Sequence, residues 1–243
     1  MTRPPTAIHH QHKIERIQRI REKRFDVFFQ DFMGDRHKVA SFNNKIIVRC
    51  IKTALRALRD DLIAPLVYAK AGYCLSLMAH LHKKGSNLIV ANGGISAILS
   101  LKKAFPLREK LQISVLGTLT VITMHLEGSS MHGHASAIES AVTSVECLPT
   151  SCRVYEAACL LISVIFPKVK LNILEYEKVL GSVLLGLAVH GDDEMAHFAG
   201  CRAIECLFSE SSFVMTRRIA HETNLSYGSI TKTGFFCCPS KKT

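Results

Sequence analysis

Apolar residues recur along this chain at a spacing of 42 to 44 residues. Two sets lie four residues apart: Ala71, Val115, Ala157 and Ala199, and then Leu75, Leu119, Leu161 and Ala203. Two upstream sets keep the same spacing: Ile51, Ile95, Ala137 and Val179, and then Leu55, Leu99, Ala141 and Val183. A period of this length is typical of α-solenoids, whose repeats bury their apolar faces against neighbouring repeats. The sequence therefore predicts an all-α solenoid of about four repeats.

The composition indicates a packed core and no membrane-spanning segment. Hydrophobic residues make up 48% of the 243 residues, which is enough to build a core. The longest apolar stretch, residues 171–191, is interrupted by Glu175, Glu177 and Lys178, whereas a spanning helix needs about 20 apolar residues. Residues 1–13 lack the apolar region of a secretory signal. These features predict a soluble chain in the cytoplasm, with the nucleus as a second compartment.

The cysteines and histidines do not form a recognisable metal or cofactor motif. The nine cysteines are interpreted as reduced thiols, since no C-x-x-C is present and Cys147 and Cys152 have no histidine pair at zinc-finger spacing. His80 and His82 lie two residues apart and would point to different sides of a helix. Neither a nucleophile elbow nor a phosphate-binding glycine loop occurs. We therefore expect a non-enzymatic protein without a cofactor.

A basic, helical segment precedes the repeats. Residues 1–61 hold 14 Lys and Arg against 7 Asp and Glu, so most of the net charge of +11 lies there. Its basic positions are Lys13, Arg16, Arg19, Arg21, Lys23 and Arg24. This charge would attract nucleic acid or an anionic membrane, although a solvated face of a capping helix explains it equally well. Behind it, Phe25, Phe28, Phe29 and Phe32 follow helical spacing and are expected to attach residues 1–43 to the first repeat.

Several segments resemble the armadillo-repeat family. HLHKKGSNLIVANGGISAILSLKKAF looks like that family's passage from a third helix, through a short first helix, into a second helix. YEAACLLISVIF and FAGCRAIECLF look like third helices. The resemblance covers residues 44–225 and implies a right-handed superhelix, with HEAT-type repeats as the close alternative. It also implies that Gly93 and Gly94 permit a sharp turn between the first and second helices.

The armadillo resemblance implies a protein partner, an extended peptide or a helix, bound along the groove of the third helices. The expected outward-facing positions are Tyr73, Leu77, Thr118, Glu156, Arg202 and Glu205. Armadillo proteins that carry nuclear-import cargo are similar to one another in a Trp and, four residues later, an Asn. The matching Trp positions here are Tyr73, Gly117, Cys159 and Cys201, and the Asn positions are Leu77, Val121, Ser163 and Glu205. Because the chain has no Trp, import-type recognition is not expected.

The C-terminal residues change character. Residues 209–226 look like the start of a fifth repeat, and no polar capping helix follows it in the sequence. Three alternatives would account for this: a partner covers the last apolar face, the tail folds over it, or the chain is a shortened form of a longer repeat protein. Residues 226–243 contain no helical period and are expected to be a disordered tail. Cys237 and Cys238 lie there beside two phenylalanines and two lysines. Acyl chains on these cysteines together with basic charge would make a two-signal membrane anchor.

Overall fold

The computed structural model describes residues 5–60, 65–126, 134–169 and 171–208. Within these residues the secondary structure is entirely helical, so the prediction of an all-α chain is confirmed. The suggested fifth repeat, the tail, Cys237 and Cys238 lie outside the described residues. None of the described helices is both long enough and apolar enough to cross a bilayer.

Ten α-helices and two short 3₁₀ helices follow one another along the described chain. The α-helices are α1 Pro5–Gly34, α2 Asn44–Leu58, α3 Pro65–Leu81, α4 Gly85–Ala91, α5 Gly94–Ala104, α6 Glu109–Met124, α7 His134–Cys147, α8 Cys152–Ile165, α9 Ile173–His190 and α10 Glu194–Leu207. The 3₁₀ helices are Arg36–Ser41 and Phe166–Lys168.

Short polar side chains begin several of these helices. The side chains of Asn43 and Ser151 each accept a hydrogen bond from the backbone N–H three residues later. Asn172 and Glu175 form a reciprocal capping box at α9. Asp193 accepts from two backbone N–H groups at the start of α10. Each cap satisfies donors that have no partner inside the helix.

The Gly–Gly pair makes the turn between α4 and α5. Gly93 has a φ of 75°, which lies in the left-handed region that side chains disfavour. A Cβ on Gly94 would lie 2.3 Å from Cγ2 of Ile89, so any larger residue would obstruct the crossing of the two helices. Upstream, α4 begins at Gly85, so the last three residues of the segment KKGSN are helical.

The helices pack in two rows. One row contains α3, α6, α8 and α10, each in contact with the next. The other row contains α2, α5, α7 and α9, and each of its members also packs against the following helix of the first row. α1 packs against α3, where Phe25 and Phe32 are buried and Phe28 and Phe29 are partly buried.

The periodic apolar residues form the core between these rows. All of them are buried except Leu99 and Ala157, which are partly buried and pack against the core. In α8 the fully buried alanine is Ala158, so the step from Val115 is 43 residues rather than 42. Because Ala157 and Ala158 are adjacent and identical, the sequence pattern does not show which of them lies in the core. The packing of α8 places Ala158 there.

Candidate interaction surface

The first row of helices exposes large apolar side chains on its solvent side. Tyr73 on α3 is 48% exposed, Met124 on α6 is 53% exposed and Phe198 on α10 is 55% exposed. Leu77 on α3 and Leu160 on α8 are partly exposed and also contact the core. We call this set of five residues the third-helix row, because the armadillo resemblance would make α3, α6, α8 and α10 the third helices. Exposed large apolar groups on successive helices are typical of a binding surface, because water hydrates them unfavourably.

Five of the six expected surface positions are at least partly exposed. Tyr73, Arg202 and Glu205 are exposed, and Leu77 and Glu156 are half-buried.

Thr118 is the exception and is a correction to the expected surface. It is only 3% exposed, and its hydroxyl donates to the carbonyl oxygen of Ser114 at 2.7 Å. Its Oγ1 also lies 3.3 Å from Oγ of Ser76 on α3. The residue faces the neighbouring helix rather than solvent because α3 packs against that side of α6.

The shifted register of α8 also corrects the comparison with nuclear-import adaptors. Cys159 and Ser163, aligned above with the Trp and Asn ladder, are buried. The partly exposed equivalents in α8 are Leu160 and Val164, one residue later in each case. Neither is Trp or Asn, so the ladder is absent from α8 in the corrected register as well.

Polar contacts between residues 42 to 45 positions apart join neighbouring helices. Ser151 donates to a carboxylate oxygen of Glu109, 42 residues earlier, at 2.6 Å. Lys168 donates to the carbonyl oxygen of Thr123, 45 residues earlier, at 2.5 Å. On α3, Lys70 pairs with Asp26 of α1, 44 residues earlier, at 2.6 Å. These contacts repeat the period of the apolar core, and the apolar positions alone do not predict them.

Two histidines meet at the C-terminal ends of α3 and α6. Nδ1 of His80 lies 2.9 Å from Nε2 of His125, and the two rings are 4.9 Å apart in an edge-to-face arrangement. His82, two residues after His80 in the sequence, is instead buried and donates from Nε2 to the carbonyl oxygen of Phe42. The histidine pair therefore arises from helix packing and not from a local sequence motif.

The basic residues of α1 lie on its exposed surface. All six of the predicted positions are exposed, namely Lys13, Arg16, Arg19, Arg21, Lys23 and Arg24. Arg21 is held by Asp60, whose two carboxylate oxygens each lie 2.8 Å from the same guanidinium nitrogen. Arg16, Arg19 and Lys23 follow a helical spacing of three and four residues, so they share one face with His12.

A buried polar cluster links α5, α6 and α7. Lys102 is 6% exposed and its ammonium donates to the carbonyl oxygen of Ser140. Gln112 donates to the carbonyl oxygen of Phe105 at 2.9 Å and accepts from the hydroxyl of Ser144 at 2.9 Å. Burial lowers the pKa of Lys102 to about 8, because the charged ammonium loses water around it. The cluster lies inside the helix stack, away from the third-helix row.

The buried thiols are unreactive by the same reasoning. Burial raises the pKa of Cys74 and of Cys159 to about 12, so both stay protonated at neutral pH. Among the described residues, no group of three or more His, Cys, Asp and Glu side chains converges as a metal site.

No family model matches the chain, and no curated protein or solved structure matches it either. The functional interpretation therefore depends on the chemistry of the third-helix row and of the basic face of α1.

Proposed function

We propose that this chain is an armadillo-like, right-handed solenoid of about four repeats that acts as a non-enzymatic protein-interaction scaffold. The observation that supports this proposal best is the third-helix row, in which Tyr73, Met124 and Phe198 are each about half exposed on different helices of one packed row. A single exposed apolar residue is ordinary on a protein surface. An apolar side chain on helix after helix is better explained by a ligand that crosses them.

The spacing of the row suits an extended peptide or a helix as the partner. Packed helices are about 8–10 Å apart, and an extended chain advances about 3.3 Å per residue. A bound peptide would thus offer an apolar side chain about every third residue. Glu156, Arg202 and Glu205 border the row on α8 and α10, and such mixed charges at a rim fix the register of a partner more than its affinity.

Photo-crosslinking with a photoreactive residue built into the full-length chain tests this function. Benzoyl-phenylalanine replaces Tyr73, Met124 or Phe198 in separate variants, and Val27 or Leu107 in matched controls that are also exposed. The expected result is one and the same protein crosslinked from all three row positions and absent from both controls. Crosslinks that are equal at row and control positions would remove the support for a binding row.

Binding of nucleic acid or an anionic membrane by α1 is a second candidate function. The observation that favours it is the shared, exposed face of Arg16, Arg19 and Lys23. Each phosphate contact releases counterions, so such binding weakens steeply as salt rises.

The basic-face candidate is tested by neutralising these three residues together. Arg16→Gln, Arg19→Gln and Lys23→Gln are combined, and the control combines Lys45→Gln, Arg49→Gln and Lys52→Gln, which are exposed on α2. Binding to RNA, DNA and anionic vesicles is titrated against salt for both. A specific loss in the α1 variant supports the candidate, and equal curves for the two variants rule it out.

A further inference from the structure

His80 and His125 form a contact that neither the apolar packing nor the proposed binding row requires. They lie 45 residues apart on neighbouring helices, and one ring nitrogen of each is directed at the other across 2.9 Å. His80 is exposed and His125 is half-buried, so an ion from solvent can reach both rings. His82 and His190 differ from this pair. A ring nitrogen of each contacts a backbone carbonyl oxygen, which can only accept, so that nitrogen must carry a proton.

The distance between the two nitrogens fits a shared metal ion. Imidazole nitrogens lie about 2.0–2.1 Å from a divalent transition metal. Two such nitrogens are about 2.9 Å apart when they occupy neighbouring corners of a square plane, and about 3.3 Å apart in a tetrahedron. The 2.9 Å hydrogen bond between His80 and His125 therefore holds the two nitrogens close to the spacing of the tetragonal geometry that copper(II) and nickel(II) prefer, and a shift of about 0.4 Å would reach the tetrahedral spacing.

The helix ends supply a favourable field for a cation at the same place. His80 lies in the last turn of α3, and His125 is the residue that caps the C-terminus of α6. The carbonyl groups at a helix C-terminus carry partial negative charge. Since α3 and α6 pack side by side, both C-termini contribute to the potential around the two imidazoles.

We propose that His80 and His125 together bind one divalent transition-metal ion, copper(II) foremost, as a bridge between α3 and α6. In the metal-free pair, one of the two facing ring nitrogens carries a proton and donates a hydrogen bond to the other. On binding, that proton moves through solvent to the second nitrogen of its own ring, so both facing nitrogens present lone pairs. Water fills the remaining positions around the ion, and the site requires both imidazoles to be neutral.

Copper(II) titration of the full-length chain by calorimetry tests the site. The variants are His80→Ala, His125→Ala and the double variant, with His197→Ala as the control, since His197 is also an exposed helical residue. Either single change should weaken the tightest copper(II) site by about tenfold or more. The double variant should be no weaker than the singles, because one shared site can be lost only once. His197→Ala should bind as the unchanged chain does.

Electron paramagnetic resonance provides a readout that is independent of the variants' stability. The copper(II) spectrum of the unchanged chain should show two equivalent nitrogens at one equivalent of metal, and this signature should disappear in either single variant. Retention of the tightest site in His80→Ala would overturn the proposal. Losses that add in the double variant would overturn it as well, because they would indicate two separate surface histidines.

Discussion

The hydroxyl group of Tyr155 on α8 donates a hydrogen bond to the backbone carbonyl oxygen of Val183 on α9, 2.9 Å away. Tyr155 is 1% exposed, and two glycines make room for its ring. A Cβ on Gly186 would lie 2.2 Å from Cε2 of Tyr155, and a Cβ on Gly200 would lie 2.4 Å from its hydroxyl oxygen. One tyrosine thus joins α8, α9 and α10 at a point where only glycine fits.

Gly186→Ala and Gly200→Ala should each lower the free energy of unfolding by about 1–3 kcal/mol, because the added methyl group overlaps the Tyr155 ring. Chemical denaturation measures the change. Gly181→Ala is the matched control on α9, since a Cβ there meets nothing within 4 Å, and it should raise the free energy of unfolding by about 0.5–1 kcal/mol. Equal effects at Gly181 and Gly186 would show that the Tyr155 contact is not a constraint.

Removing a buried phenylalanine of α1 should destabilise the attachment of that helix to α3. Phe32 is 4% exposed, so Phe32→Ala should cost about 3–5 kcal/mol through lost burial and a cavity. Hydrogen exchange of α1 and the free energy of unfolding report the loss. Val27→Ala is the control on the same helix, where the side chain is 56% exposed and a change within about 0.5 kcal/mol is expected. A similar cost at both positions would argue against the buried attachment.

His134 should make the stability of the chain fall in acid. It is 2% exposed, and neither ring nitrogen has a hydrogen-bond partner. Burial lowers the pKa of its imidazole, and the charge of Lys168 lowers it further. The unfolded chain therefore takes up a proton at higher pH than the folded chain does. The chain therefore has its full stability with respect to His134 above about pH 6.5, the ordinary pKa of histidine. The free energy of unfolding decreases as the pH falls below this value.

His134→Leu tests this acid sensitivity. The variant should be more stable than the unchanged chain at pH 7.5 by about 1–3 kcal/mol, since it removes a buried polar group without partners. Its advantage should grow as the pH falls from 7.5 to 5. An advantage that is constant or shrinks in acid contradicts the account, and Tm measured at both pH values decides between them.

Lys102 should produce a dependence of the same sign in the alkaline range. The pKa of its ammonium is about 8 in the folded chain against an ordinary 10.5, so the unfolded chain binds more protons between these values and stability rises with pH there. Lys102→Met keeps the apolar stem and removes the charge. Its Tm should exceed that of the unchanged chain at pH 7, and the difference should shrink as the pH rises from 8 to 10. A difference in Tm that does not change with pH would show that the pKa of Lys102 is not lowered in the folded chain.

The sequence predicts the helices well because their apolar period is strong. All of the periodic apolar residues lie within α-helices of the structure. The register of α8 was predicted one residue early because Ala157 and Ala158 are equivalent in the pattern, and only the packing distinguishes them. Thr118 was expected to face solvent for a related reason, since helical phase does not reveal which side the neighbouring helix covers.

The polar contacts between neighbouring helices could not be predicted from local motifs. His80 and His125 meet because α3 and α6 pack side by side and end at the same place. Aligning polar residues at the apolar period would have brought them near each other in register, since their separation is 45 residues. The rotation of each helix decides whether such residues touch, and that rotation depends on the core beneath them.

The most direct test of the third-helix row is the affinity of the full-length chain for the protein crosslinked from it. The dissociation constant is measured for the unchanged chain, for Met124→Glu, for Phe198→Glu and for Val27→Glu as the exposed control. A buried carboxylate without a partner costs several kcal/mol, so each row variant should bind at least about 100-fold more weakly while the control binds normally. Binding along α3, α6, α8 and α10 would be contradicted if both row variants bound within about twofold of the unchanged chain. Such a change corresponds to less than the roughly 1.4 kcal/mol of a tenfold change in affinity.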